Sequence, residues 1–455
     1  MKKLLLNTSK TNQQNLFYSP LSDMNDPLIA LANAIDWKIF ENEFAGFYSK
    51  DGCPAKPIRL MVGLLILKQL ENLSDESIVI QWKRNPYYQY FCGYNEMQVC
   101  EPCHSTQLVK FRQRIGTIGM ELIFKVSVQL HGSCAEEKQV LIDTTVQEKN
   151  ITYPTDGKLA IKMIHHLHKI GKKEQLNLRR TFVKEIKEHR INLRFFKHPK
   201  KIKKARASIK RLRTIVGILI RDISRILQPV QLVNYQEKFD LFDKVRKQQI
   251  KDSNKVLSLH ETHVYAITKG KDHKKYEYGT KASTVATKDS GVIVGVASHS
   301  KNEHDSKTLE VALRSANQTR TTLIKEAICD RGYRGIKEVL GTTICIPGTP
   351  LKRDSEYQKQ NKREKFKRRA AIEPIIGHLK SDFRLARNYL KGFIGDQINL
   401  LLAATAWNLK KWMNLYFFAL FNGKIKLLLE SVSQIKLYYQ IFLQLIVIKL
   451  IFSQH

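Results

Sequence analysis

Acidic side chains are in short supply in this chain. Its 455 residues carry 42 Asp plus Glu against 77 Lys plus Arg, a formal net charge of +35. Charge that far from neutral opposes self-association and attracts a polyanion. Nucleic acid is the first candidate, ahead of a ribosome-associated or membrane-surface role. Cysteine is sparse as well. Seven are scattered at 53, 92, 100, 103, 134, 329 and 345, an odd count that argues against a disulfide framework and for reduced thiols in a cytosolic compartment. Cys100-Glu-Pro-Cys103-His104 resembles half of a zinc site, but no second paired knuckle follows, which disfavours the metal. The N-terminus, MKKLLLNTSKTNQQN, lacks an apolar region long enough for a signal peptide. Clean apolar runs are also missing. The most apolar segment, residues 435–452, is interrupted by Gln440, Gln444 and Lys449, whereas a membrane helix needs about 20 predominantly apolar residues. The expectation is a cytoplasmic, nucleoid-associated protein with no membrane partner.

What is present is enough apolar residue, 43% of the chain, for sizeable cores. The length suggests two or three domains. Residues 1–25 read as a flexible segment. Residues 26–135 read as helices, from the apolar spacing in PLIALANAIDWKIFENEFAGFY and RLMVGLLILKQLENLSDESIVIQWKRN, with Ser74 as a helix start. A helix-turn-helix that reads DNA and a plain supporting or dimerisation unit are both open here. At Gln139 the texture changes to the strand QVLIDTTV, followed by the loop TYPTDGK. A basic helical insertion follows, at about 160–255, with 17 Lys/Arg against 3 Asp/Glu from Gly171 to Arg213. That imbalance favours contact with backbone phosphates, and Lys200, Lys201, Lys203 and Lys204 lie in its most basic part.

Strands return at 263–270 and in a hairpin turning at Lys288-Asp-Ser-Gly291. A helix at 306–317, a strand ending at Asp330, a short helix over GIKEVL (335–340), a strand at 342–348 and helices at 361–386 and 398–417 complete the pattern. This order predicts an α/β fold with a mixed sheet over 136–415, and an apolar helical tail over 416–455.

The candidate chemistry lies on carboxylates. Asp143 is inside the first strand, and Asp330 ends the apolar run in KEAICDRGYRG, flanked by Arg331 and Arg334 as candidate phosphate contacts. Glu373 follows Arg369 by four residues and precedes Lys380 by seven, with Phe366 seven before it. On one continuous helix these positions share a side, and Pro374 marks a kink or a restart. Ligands bind outside strand ends in such sheets, and three hard oxygen donors there would suit Mg2+ or Mn2+. Two such ions could activate an attacking hydroxyl and stabilise a leaving oxygen. Asp305, in NEHDSKTL, reads as a helix cap and His304 as a neutral loop histidine.

These segments, with YEYGTKASTVAT, ICDRGYRG and RRAAIEPIIGHLKSDFRLARNYLKG, resemble bacterial insertion-sequence transposases of the DDE type. The likeness is to the broad IS4/IS5-like group and its IS1182-like branch, which has an all-helical N-terminal domain. It implies an RNase H-like core, with Asp143, Asp330 and Glu373 as the catalytic, metal-holding triad. It implies that Arg369 and Lys380 contact phosphate, with Phe366 standing where the family has tyrosine. It further implies strand cleavage and 3′-hydroxyl transfer with about two Mg2+ or Mn2+ ions. The partners would be double-stranded transposon-end and target DNA, and synapsis of two ends makes a homodimer plausible.

Overall fold

The computed structural model describes residues 23–48, 54–94, 96–249, 251–271, 274–346, 348 and 351–452. For 269–271, 274 and 423–452 it describes the backbone alone. Most of the segment expected to be flexible, 1–25, lies outside the described residues, as do the side chains of the apolar tail from residue 423 on.

Helices come first: α1 (Pro27–Ala34), α2 (Trp37–Ala45), α3 (Ile58–Leu70), α4 (Asp75–Arg84), α5 (Pro86–Phe91) and α6 (Ser105–Gln129). Their starts are set locally. Asp26, Asp36, Ser74 and Asn85 each accept from an open backbone N–H, and proline opens α1 and α5. Helix α3, IRLMVGLLILKQL, is apolar around its whole circumference and is buried on every side from Leu60 to Leu70. Helix α4 keeps Lys83 and Arg84 exposed. Inside the bundle Lys68 lies 2.8 Å from Asp75, which also accepts from Arg112 of α6. Burial pushes the Asp75 carboxyl up, but Arg112 and Lys68 outweigh it and hold it down at about 2.

The sheet contains β1 (Gln139–Glu148), β2 (Tyr265–Lys271), β3 (Lys274–Thr287), β4 (Ile293–His299), β5 (Glu326–Ile328), β6 (Glu338–Val339) and β7 (Thr342–Cys345). Its order is β2-β3-β1-β5-β7-β6, and β4 pairs with the other half of the β3 edge that carries β2. The sheet is mixed: β1 runs antiparallel to β3 and parallel to β5, and β5 runs parallel to β7. Helix α11 (Leu309–Thr319) packs on β4, where Gly295 leaves room; a Cβ there would sit 2.7 Å from the Ala316 nitrogen.

Between β1 and β2 the chain forms helices α7 (Asp156–Lys173), α8 (Val183–Asn192), α9 (Ile202–Ile226) and α10 (Pro229–Lys247). They share a core of their own, with Leu159, Met163 and Leu167 against Leu212, Ile215, Leu219 and Phe242. Helix α9 buries one face and turns Lys203, Lys204 and Arg206 to solvent. After the sheet come α12 (Glu356–Arg369), α13 (Ile372–Ser381) and α14 (Gly392–Phe452). Among the described residues, no helix is long and apolar enough to cross a membrane.

Two expected elements differ. Residues 335–340 are not a helix: β6 turns into β7 through Leu340 and Gly341, at φ of 51° and 74°. Two successive left-handed residues suit a tight hairpin turn and end any helix. The single helix expected over 361–386 is two, α12 and α13, separated at Ala370-Ala371, with Pro374 in the first turn of the second.

Replacing Asp75 with Ala leaves Arg112 and Lys68 buried without their carboxylate. Urea unfolding followed by circular dichroism is expected to show a loss of about 3 kcal/mol or more. The folded-state pKa lies below the unfolded value, so the stabilisation by Asp75 is complete above about pH 4 and is lost as pH falls toward 2. D75N should flatten that acid-side decline.

Candidate active site

Strands β1 and β5 lie side by side and parallel, with Leu141 in register with Ile328. Asp143 and Asp330 each come two residues later. Side chains alternate along extended backbone, so both carboxylates leave the sheet on the face of Leu141 and Ile328. Asp330 keeps the extended conformation that this requires, at φ −82° and ψ −177°. On that face Leu141 and Ile328 form a small buried cluster with Ile372, the first residue of α13. Glu373 is therefore tethered next to the strand carrying Asp143 and the strand carrying Asp330. Gln147, further along the same face, meets the start of α14 through Asp396 and Asn399.

Each acid has a local donor. Asp143 accepts from the Thr144 N–H at 2.7 Å, and Asp330 caps the turn at Arg331–Tyr333 by accepting from the Gly332 N–H at 2.8 Å. Glu373, with 62% of its side chain exposed, accepts from Arg369 at 2.9 Å. The spacing read from the sequence thus joins these two residues across the break between α12 and α13. Lys380 is partly buried two turns further along α13, while Phe366 is about half exposed on α12. Among the described residues, no group of three His, Cys, Asp or Glu side chains is close enough to hold a metal ion. The structure brings Asp143, midway along β1, beside Asp330, just past the end of β5, and tethers Glu373 near them without gathering all three. Like charges repel when crowded, and Glu373 turns instead to a cation.

Asp305 is not the cap that its position suggested. His304 does that work, its Nδ1 accepting from the Ser306 N–H at 3.4 Å. The Asp305 carboxylate accepts from Thr144 Oγ1 of β1 and from Lys281 Nζ of β3, both at 2.8 Å. It also approaches Asp330: a Cβ on Gly332 would lie 3.0 Å from Asp330 Oδ1 and 3.1 Å from Asp305 Oδ2. The sequence shows Asp305 only as a cap candidate because its partners are 24 and 161 residues away. Burial, then the carboxylates of Asp330 and Asp143, pushes the Cys329 thiol up. Burial and the Lys281 charge push His299, opposite Lys281 on β4, down to about 4. Arg331 and Arg334 are exposed beside Asp330. Lys200, Lys201, Lys203 and Lys204 are exposed on the helical insertion, with the Lys201 ammonium 4.3 Å from the Phe195 ring centre.

Comparison with known proteins bears on this arrangement. The profile of the transposase DDE domain matches residues 249–409, and that of a second transposase domain, DUF772, matches 17–114. The uncharacterized protein ORF8 in the nfe locus of Rhizobium meliloti is 37% identical over 196 residues, covering 41% of this chain and 95% of that protein. The chain belongs to the DDE transposases. No solved structure matches it.

The mixed sheet is the RNase H-like core of a metal-dependent DNA transposase, preceded by its helical region. DDE transposases generally use divalent metal ions, and DNA is their partner. The matched stretch contains Asp330 and Glu373, whereas Asp143 precedes it and joins them through the pairing of β1 with β5 and the packing of Leu141 on Ile372. The donor chemistry around Asp143 and Asp330 of the transposase suits a hard cation, since both are carboxylates and the nearby Cys329 is buried. Ile372 anchors α13 to both strands, so Ile372→Ala is expected to cost about 3 kcal/mol and Ile372→Val about 1 kcal/mol in urea unfolding.

Proposed function

We propose that this transposase binds the inverted repeats at transposon ends, cleaves a DNA strand there and transfers the resulting 3′-hydroxyl to target DNA. The observation that carries the reading is the pair of acids on neighbouring parallel strands, Asp143 midway along β1 and Asp330 just past the end of β5, with Ile372 tethering Glu373 beside them. In this reading all three are catalytic and hold Mg2+ or Mn2+, in about two sites. The bound ions would supply Lewis acidity to the attacking and leaving oxygens of an in-line phosphoryl transfer. Asp143, within β1, and Asp330, just past β5, contribute hard oxygen donors. Arg369 orients Glu373 and, with Lys380, opposes charge that builds on the phosphate. Neither cleavage nor joining requires a protein nucleophile, so the residues position rather than bond.

The basic surface has a separate task. Arg331, Arg334, Lys200, Lys201, Lys203 and Lys204 are exposed and contact backbone phosphates in this reading, with salt-dependent and largely sequence-independent affinity. A homodimer would hold two ends together, and the site of action is the cytoplasm, at the nucleoid.

Strand cleavage and strand transfer with inverted-repeat DNA test the proposal, with and without Mg2+. D143N, D330N and E373Q are each expected to lose cleavage by on the order of a thousand-fold or more, while gel-shift binding stays within about threefold because the phosphate contacts remain. Wild-type cleavage by D143N would remove the site from consideration. Cutting without joining would instead identify a nuclease, and binding without either step a protein that has lost its chemistry.

A further inference from the structure

Strand β1 continues beyond the carboxylates, from Asp143 to Glu148, in unbroken register with β3. Asp143 faces Thr284 and Glu148 faces Gly279, so the even-numbered residues of β3 share the face of Asp143. Two of these are Tyr278 and Tyr276. Beside them the surface opens into a groove of about 600 Å³, bounded by the segment that follows α13. Tyr153, from the loop after β1, stands edge-on to Tyr278 with ring centres 5.4 Å apart and planes at 85°. Tyr276 lies 6.4 Å from Tyr278. Tyr153 is 60% exposed and Tyr276 37% exposed. Lys197, Lys275 and Arg387 line the same groove and are exposed, and among the described residues Glu148 is its one acidic lining residue.

Aromatic rings beside cations have a specific use in nucleic-acid recognition: bases stack on the rings and phosphates meet the cations. In an intact duplex the base faces are already stacked on one another, so the fitting occupant is an unpaired strand. The groove lies about 17 Å along β1 from Asp143, at roughly 3.3 Å per residue, a span of about five stacked nucleotides at 3.4 Å each. The helix that carries Glu373 and Lys380 leads directly into the segment bearing Arg387. We propose that this groove is a stacking site for unpaired nucleotides flanking the scissile phosphate at a DNA end. It rests on the transposase reading for the identity of that DNA, and on its own geometry for the stacking.

Fluorescence anisotropy of the full chain tests it, with a blunt duplex and the same duplex carrying a short oligo-dT tail as probes. The wild type is expected to bind the tailed duplex about tenfold more tightly. Tyr153→Ala and Tyr276→Ala should each reduce that preference to about twofold or less while leaving blunt-duplex affinity unchanged, and Tyr276→Phe should keep it, since stacking needs the ring and not the hydroxyl. Thermal melts establish that the variants fold; Tyr153, exposed on a loop, carries the test if the strand variant does not. Equal affinity for the two probes in the wild type, or full preference in folded Tyr153→Ala, would overturn the proposal. The same preference in D143N, measured beside its cleavage, separates the two readings. A wild-type protein that favours the tail but neither cuts nor joins refutes the catalytic assignment and leaves the groove intact.

Discussion

The contact of Ile372 with Leu141 and Ile328 sets the geometry on which the catalytic proposal depends. It joins two parallel strands to a helix across one face of the sheet, with all three side chains at or below 1% exposure. Burial of such side chains contributes about 1.5–3 kcal/mol each, enough to fix where α13 begins. Everything chemical is one or two residues away from it. Asp143 and Asp330 follow the strand residues by two, and Glu373 follows the helix residue by one. A rigid apolar contact thus locates polar groups that could not hold one another in place.

Those polar groups would otherwise repel. In a chain so short of acid, several of its carboxylates lie around the adjoining strands β1 and β5, and each has a donor: Thr144 for Asp143, Gly332 for Asp330, Arg369 for Glu373, and Lys281 with Thr144 for Asp305. Two of the donors are backbone N–H groups, which orient a carboxylate without neutralising it. In the proposed reading these carboxylates supply oxygen donors to a divalent cation, within a molecule whose overall charge draws DNA. Gly332 is part of the same arrangement, since any side chain there would press on both Asp330 and Asp305.

The helical region and α14 act as a brace for this arrangement. Gln69 of α3 donates to the Phe383 carbonyl, Asn72 to the Ser381 carbonyl, and Arg384 to the Asn72 carbonyl. All three bonds fall on the last residue of α13 or the segment just after it. Asn408 of α14 bonds both the N–H and the carbonyl of Ile293 on β4. Lys149, at the far end of β1, is held in a buried ion pair with Asp396 near the start of α14. The strand that carries Asp143 is thereby fixed along its length, and the groove beyond it inherits a rigid floor.

Local pattern in the sequence was sufficient for the elements whose cause is local. Ser74 caps its helix, QVLIDTTV is a strand, the hairpin turns at Gly291, and Arg369 reaches Glu373, because caps, alternation, turns and i,i+4 pairs act over a few residues. The same locality misled at GIKEVL, where two left-handed residues make a turn, and at Asp305, whose partners come from β1 and β3. Composition announced a polyanion partner, since charge sums without regard to fold. Only the tertiary structure placed Asp143 beside Asp330, because 187 residues separate them in the chain and nothing but strand pairing joins them. It alone put Tyr276 and Tyr278 on the face of Asp143, since a shared face is a property of register and register belongs to the assembled sheet.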